Sequence, residues 1–304
     1  MPLDAVAIVG PPAAGLAPDW RERAASWAGA AFSVAILALV AHGLGHGGFD
    51  GLSAHASGSP AFWAVFVLAY LASPACEWVI FHQLWRLPPS GALALLRKEV
   101  SNELLFSYSG EAQFYLWARR HVAMTGSPFG AVKDVAVLSA LAGNIATLAM
   151  MAATAPTLAK LALLPGAKAF GGSVAIVIAI SLALFLFRRA VFSLSAPALR
   201  TVFAVHGVRI VLHVGLTALM WHLLLPSVPL GSWMLLATLR LMMSRLPLVA
   251  NKDLMFAGMA LLLLGEAGGV TAVVATVSGL IVAAHLIVGA LVYAAQFAPR
   301  AVRS

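Results

Sequence analysis

The chain has 304 residues, of which 62% are apolar and only 10% charged, and its mean hydropathy is +0.94. That balance excludes an ordinary soluble domain and points to an integral membrane protein. The formal net charge of +8 is no nucleic-acid footprint, because the basic residues gather at the ends of apolar runs, and the single cysteine, Cys76, excludes an internal disulfide and a cysteine-rich metal site.

Residues 1–24 contain Asp4, Asp19 and Glu22 and four prolines, with no basic stretch ahead of an early apolar run. They read as a flexible tail and not as a cleavable signal. Apolar runs long enough to cross a bilayer follow at about 26–45, 61–84, 132–155, 170–188, 201–225, 230–249 and 270–297. Residues 25–298 are therefore expected to form one polytopic membrane domain, with 299–304 as a short basic C-terminal tail.

Two segments fit neither a span nor a soluble loop. Residues 91–121 are apolar in part but interrupted by Arg97, Lys98, Glu99, Asn102 and Glu103. They read as an interfacial or re-entrant helix pair broken at Ser107–Gly110, since lipid would not tolerate their polar groups along the whole length. Residues 252–265 are apolar but cover only about 21 Å as a helix, too short for a hydrocarbon core of ~30 Å. The expected fold is an all-α membrane protein of about eight segments with two broken or re-entrant hairpins, which allows for pseudo-symmetric halves. Lys and Arg crowd one side of the spans, with Lys160 and Lys168 on the other, so both termini are expected in the cytoplasm of an inner membrane.

A polar word recurs at a constant offset of about half the chain. Leu104, Ser109, Glu111, Phe114 and Ala118 correspond to Leu246, Asn251, Asp253, Phe256 and Ala260. In each copy a helix-capping residue stands two places before an acid. This predicts two helix starts, with Ser109 or Asn251 accepting from an orphan N–H and the acid at the positive end of the dipole. Matching helix breaks in two halves of a membrane protein point to a binding site between repeats.

Charges inside the apolar runs are the next signal, because each costs about 2.5–3.5 kcal/mol on insertion scales and calls for a partner or a polar cavity. Glu77 lies in the second run, Arg209 in the fifth and Arg240 in the sixth, while Glu103, Glu111, Asp253 and Glu266 lie in the broken segments. Ion pairs in a polar central cavity are expected. On a functional reading, Arg209, Arg240, Arg245 and Lys252 hold an anionic head group such as a phosphate, helped by helix N-termini near 110 and 252. Glu77, Glu111 and Asp253 then fix those cations or meet a cationic part of the ligand, beside Asn102 and Glu103. On the plainer reading the charges only pair with one another and specify helix packing, or snorkel to the interface.

His42 and His46 have the i,i+4 spacing of a shared metal ligand pair, with His55 following, but Gly43, Gly45, Gly47 and Gly48 make this a fraying helix end. No metal or cofactor is expected. His206, His213 and His222, and Asn144, read as polar interhelical contacts. No nucleotide loop and no Ser- or Cys-based nucleophile motif is present.

The order of these parts resembles the flippase-like transmembrane region of the lysylphosphatidylglycerol synthase superfamily, over residues ~25–298. The resemblance rests on Asn102-x-Leu104-Leu105, Gly110-Glu111, a basic turn, the helix led by Lys133-Asp134, and Leu246-Pro247 followed by an acid. The family's Gly-rich turn and Glu after Leu-Pro are replaced here by Leu248 to Lys252 and Asp253, and there is no soluble aminoacyltransferase domain. The resemblance implies movement of a membrane lipid or polyprenyl-linked lipid between leaflets. Two other readings stay open: a membrane enzyme using Glu103 or Glu111 as a base beside Arg97 and Arg119, and a non-catalytic assembly subunit.

Overall fold

The computed structural model describes residues 59–104, 109–122, 128–160, 167–244 and 269–297. Among them every regular element is an α-helix. In chain order these are α1 (Pro60–Trp85), α2 (Ser90–Leu104), α3 (Ser109–His121), α4 (Pro128–Lys160), α5 (Ala167–Leu186), α6 (Arg188–Val191), α7 (Ala196–Leu224), α8 (Leu230–Ser244) and α9 (Val270–Phe297). Four helical stretches are long and apolar enough to cross a membrane: Pro60–Trp85, Pro128–Ala153, Ala196–Leu224 and Ala272–Val292. Shorter apolar helices cover Val174–Leu186 and Leu230–Met243. The expected run at 26–45, the short segment 252–265, the second copy of the polar word, both tails, Glu266 and His42, His46 and His55 lie outside the described residues.

Local chemistry sets the ends of α1. Ser59 Oγ accepts from the Phe62 N–H at 3.3 Å, and Pro60 opens the helix, where its missing N–H costs nothing. At the other end Arg86 turns into the left-handed region (φ 54°) and its N–H donates to the His82 carbonyl at 2.8 Å, just before Pro88 and Pro89. Pro74 sits inside α1 and has no N–H to donate to the Tyr70 carbonyl one turn back, so the helix ladder is interrupted at mid-length.

The central helix is α7, packed against α1, α4, α8 and α9. Two apolar clusters fill opposite ends of the bundle. One joins Phe62 and Phe66 of α1, Met151 of α4, Val214 and Trp221 of α7, Trp233 of α8 and Val273 of α9. The other joins Phe81 and Trp85 of α1, Leu95 of α2, Phe114 of α3, Val132 and Leu138 of α4 and Val202 of α7. The stretches of α1, α4 and α7 between these clusters carry the polar residues described below. Side chains such as Leu68, Val211, Ile287 and Leu291 point outward and are exposed, as contact with lipid tails requires.

Asp134 ties α4 to the start of α7. It is fully buried, and its Oδ2 accepts from the Ser193 N–H (2.6 Å), the Ser193 Oγ (2.9 Å) and the Leu194 N–H (2.8 Å). Lys133 flanks it, 3.2 Å from Oδ1, and also donates to the Val191 carbonyl. The expected cost of Asp134→Asn is about 2 kcal/mol, since charge-assisted bonds to buried donors are lost. Thermal unfolding of the purified protein in detergent measures it, and an unchanged midpoint would contradict this role.

Among the expected polar contacts, Asn144 Nδ2 donates to Ser181 Oγ (3.4 Å), joining α4 and α5, and His206 Nε2 lies 3.1 Å from the Val135 carbonyl, joining α7 and α4. His222 instead bonds the Val228 carbonyl just past its own helix.

Candidate functional site

The helical hairpin α2–α3 builds one wall of the site. Gly110 is where its two helices meet: a Cβ there would lie 2.1 Å from the Lys98 carbonyl oxygen, so only glycine allows the approach. The Gly110 N–H donates to Asn102 Oδ1 at 2.8 Å. The expectation that Ser109 is the capping acceptor is therefore corrected. Ser109 belongs to α3 and its Oγ donates to the Ser101 carbonyl (2.9 Å), while the acceptor for the helix start is Asn102, across the hairpin. Ser101 Oγ adds a bond to Gln113 Oε1 at 2.8 Å. Glu111 does stand in the first turn of α3, at the positive end of its dipole.

This crossing delivers Lys98 into the bundle. Its Nζ lies 2.6 Å from Glu77 Oε1 of α1 and 3.1 Å from Glu111 Oε1 of α3, with both Lys98 and Glu77 side chains 5% exposed. Arg209 of α7 places Nη1 3.9 Å from the same Glu77 oxygen and donates from Nη2 to Ser139 Oγ of α4 at 2.6 Å. Glu99, next to Lys98, accepts from Ser73 Oγ of α1 at 3.1 Å. Burial alone pushes the Lys98 ammonium toward its neutral form, but Glu77 and Glu111 outweigh it and hold its pKa above the usual lysine value. Burial, helped by the neighbouring Glu77 carboxylate, pushes the Glu99 carboxyl up to about 7 against the pull of Lys98, Arg209 and the Ser73 hydroxyl.

These groups surround a cavity of about 310 Å³. Its charged lining is Glu77, Lys98, Glu99, Glu103, Glu111 and Arg209, with Ser73, Asn102 and Ser139 as neutral polar groups and Phe81, Val132, Val135, Ala136 and Ala140 as apolar wall. Its depth follows from helix geometry. Glu77 is ~25 Å along α1 from Pro60 and ~12 Å from Trp85, and Arg209 is ~20 Å from Ala196 and ~23 Å from Leu224 at 1.5 Å per residue. The cavity therefore lies well inside the spans, between the two apolar clusters. Two carboxylate oxygens in it, Glu77 Oε2 and Glu111 Oε2, are buried without a donor among the described residues.

Of the residues singled out in the sequence, Glu77, Asn102, Glu103, Glu111 and Arg209 come together here. Arg240 lies in α8, outside the cavity lining, and Arg245, Lys252 and Asp253 lie outside the described residues. Arg97 reaches the Val292 carbonyl of α9, and Arg119 lies over the Tyr115 ring near the far end of α3, so neither lines the cavity beside Glu103 or Glu111. Sequence reasoning missed Lys98, Glu99, Ser73 and Ser139. The available signal was the adjacent Lys98-Glu99 pair in a segment too short to span, with Glu103 one turn beyond. Among the described residues no group of three or more His, Cys, Asp or Glu is placed to hold a metal ion.

Among the described residues, fold and site together define an all-helical arrangement with four helices fit to cross a membrane and a charged cavity lined by α1, α2, α3, α4 and α7. No known protein family matches the chain, and neither a curated protein nor a solved structure does.

Proposed function

We propose that this chain is an integral membrane lipid transporter of flippase type, with the cavity between α1, α2, α3, α4 and α7 as the head-group site. The observation that carries the reading is the buried cluster of Glu77, Lys98, Glu111 and Arg209 around open space, deep inside apolar helices. Charge at that depth is costly and marks a polar pathway more often than a structural device. A volume of about 310 Å³ is at the small end for ligand sites, enough for a head group while the acyl chains stay in lipid. Lys98 and Arg209 suit a phosphate, and the four carboxylates suit hydrogen-bond donors on the rest of the head group. Movement of a membrane lipid or polyprenyl-linked lipid between leaflets is also what the lysylphosphatidylglycerol synthase resemblance implies.

On this reading α2–α3 is re-entrant, and a second broken hairpin, with the short segment 252–265, supplies Arg245, Lys252 and Asp253 from a pseudo-symmetric half. About eight segments then leave both termini in the cytoplasm. Arg240 joins the head-group path only if that second hairpin brings it there.

The test is movement of a labelled phospholipid in liposomes holding the purified full chain, read by dithionite quenching and followed by lipid extraction. The expected result is faster loss of the protected leaflet with chemically unchanged lipid, slowed at least about tenfold by Arg209→Gln and by Glu111→Gln, a loss of ~1.4 kcal/mol or more. Folded variants with full transport would overturn the site, no movement would overturn the function, and a new lipid species would replace it with an enzyme.

A further inference from the structure

The cavity holds four carboxylates and two cations among the described residues, and the carboxylates are not equivalent. Lys98 answers Glu77 and Glu111 directly, and Arg209 leans on Glu77. Glu99 and Glu103 form no ion pair with any described residue. Glu103 is exposed, at the last turn of α2. Glu99 has the Ser73 hydroxyl as its hydrogen-bond partner and shares the cavity with Glu77.

A second, independent observation bears on what the cavity lacks. Glu77 Oε2 and Glu111 Oε2 are buried acceptors without a donor among the described residues, and Glu77 is only 4% exposed. Such oxygens call for an added proton or hydrogen-bond donor. We infer that the cavity is a proton-binding site, that Glu99 carries the proton, and that the proton leaves when a head-group donor enters.

The groups around Glu99 favour this role. From α1 come Tyr70, Ser73 and Glu77; from α2 itself come Lys98, Asn102 and Glu103; from α3 comes Glu111; and from α7 comes Arg209. Helix α9, which also packs on α2, presents His285 edge-on to the Tyr70 ring at 5.0 Å and accepts Arg97 on the Val292 carbonyl. Helix α4 contributes Ser139 and apolar residues to the cavity, while its Lys133 and Asp134 are committed to the start of α7. Ser73 Oγ serves both states of Glu99: it donates to the carboxylate, and by rotating its hydroxyl it accepts from the carboxylic acid. The hydrogen bond therefore survives gain and loss of the proton, as a carrier requires. No covalent bond to carbon forms or breaks; one O–H bond on Glu99 is made from a solvent proton and returned to solvent.

The sign of the pH effect follows. An acid whose pKa is raised on folding, here from 4.5 to about 7, contributes stability that is fully present below 4.5 and is lost as pH rises through about 7. The unfolding midpoint of the wild type is expected to fall over that window, and Glu99→Gln, which keeps a partner for Ser73, is expected to flatten the profile.

The deciding measurement is infrared difference spectroscopy of the full chain in lipid discs across a step from about pH 6 to about pH 8. The wild type is expected to lose one protonated carboxyl C=O band, which is missing in Glu99→Gln and kept in Glu103→Gln and in Glu99→Asp. A wild type without the band, or a band that persists in Glu99→Gln, would overturn the proton site. Only the exchange step rests on the lipid-transport reading. A titrating Glu99 without lipid movement sinks that reading alone, and lipid movement without a titrating Glu99 sinks the proton site alone.

Discussion

Lys98→Met is expected to lower the unfolding free energy by about 3–5 kcal/mol, the range for breaking a buried ion pair from one side. The reason is that Lys98 is the cation closest to two carboxylates at once, at 2.6 Å from Glu77 and 3.1 Å from Glu111. Removing it leaves two acids in the cavity with Arg209 as the remaining cation among the described residues, 3.9 Å from Glu77 and already bonded to Ser139. Those acids must then take up protons or draw in water, and either opens the α1–α2–α3 contact. Combining Lys98→Met with Glu77→Gln is expected to cost less than the two separate losses added, because the second change removes one of the stranded charges. Lys98→Arg keeps the charge but not the compact ammonium that two oxygens share, and an intermediate loss is expected. Thermal or denaturant unfolding in detergent measures all three. Additive losses, or a Lys98→Met protein as stable as wild type, would mean that the pairs observed here do not hold the cavity together.

Gly110→Val is expected to cost about 3 kcal/mol or more, at or beyond the upper end of ordinary overpacking. The atom in the way is backbone: the Lys98 carbonyl oxygen at 2.1 Å, with Asn102 Oδ1 at 2.8 Å. Neither helix can accept a Cβ without sliding apart, and sliding withdraws Lys98 from Glu77 as well. At Gly91 the nearest atoms a Cβ would meet belong to a side chain, the buried Leu87, with its Cγ at 2.4 Å. Gly207 offers a control, since a Cβ there meets nothing within 4 Å. Gly207→Ala in α7 is expected to be neutral or to stabilise by up to about 1 kcal/mol through helix propensity alone. Equal effects at Gly110 and Gly207 would contradict the close crossing.

What could be read from the sequence divides along a physical line. The apolar runs at 61–84, 132–155, 201–225 and 270–297 reappear as α1, α4, α7 and α9, because hydrophobic length alone decides them. Glu77 and Arg209 were legible as charges too costly to face lipid, and they meet in one cavity. Lys98 was not legible, since a lysine in a short polar segment reads as a marker of the cytoplasmic side. Its burial is decided by which face of α2 meets α1 and α3, a tertiary fact with no local signature. The same holds for Asn102, which caps a helix starting after the chain has turned back on itself, at a distance that capping rules do not reach. Arg245 and Lys252, two of the expected cations, lie outside the described residues. Arg240 does not line the cavity, and the described lining is richer in acid than in base. Charge counted along a sequence says nothing of which helix face each residue occupies.

The most direct measurement for the head-group site is cross-linking with a phospholipid that carries a photoactivatable group on its head. The full chain would be irradiated with it in liposomes and the modified peptides mapped. The expected result is attachment within 73–81, 98–103 and 132–140 and at Glu111, which line the cavity, with loss of that attachment in Arg209→Gln. Attachment confined to outward-facing positions such as Leu68, Val211 and Leu291 would contradict the account, since the head group would then never enter the protein.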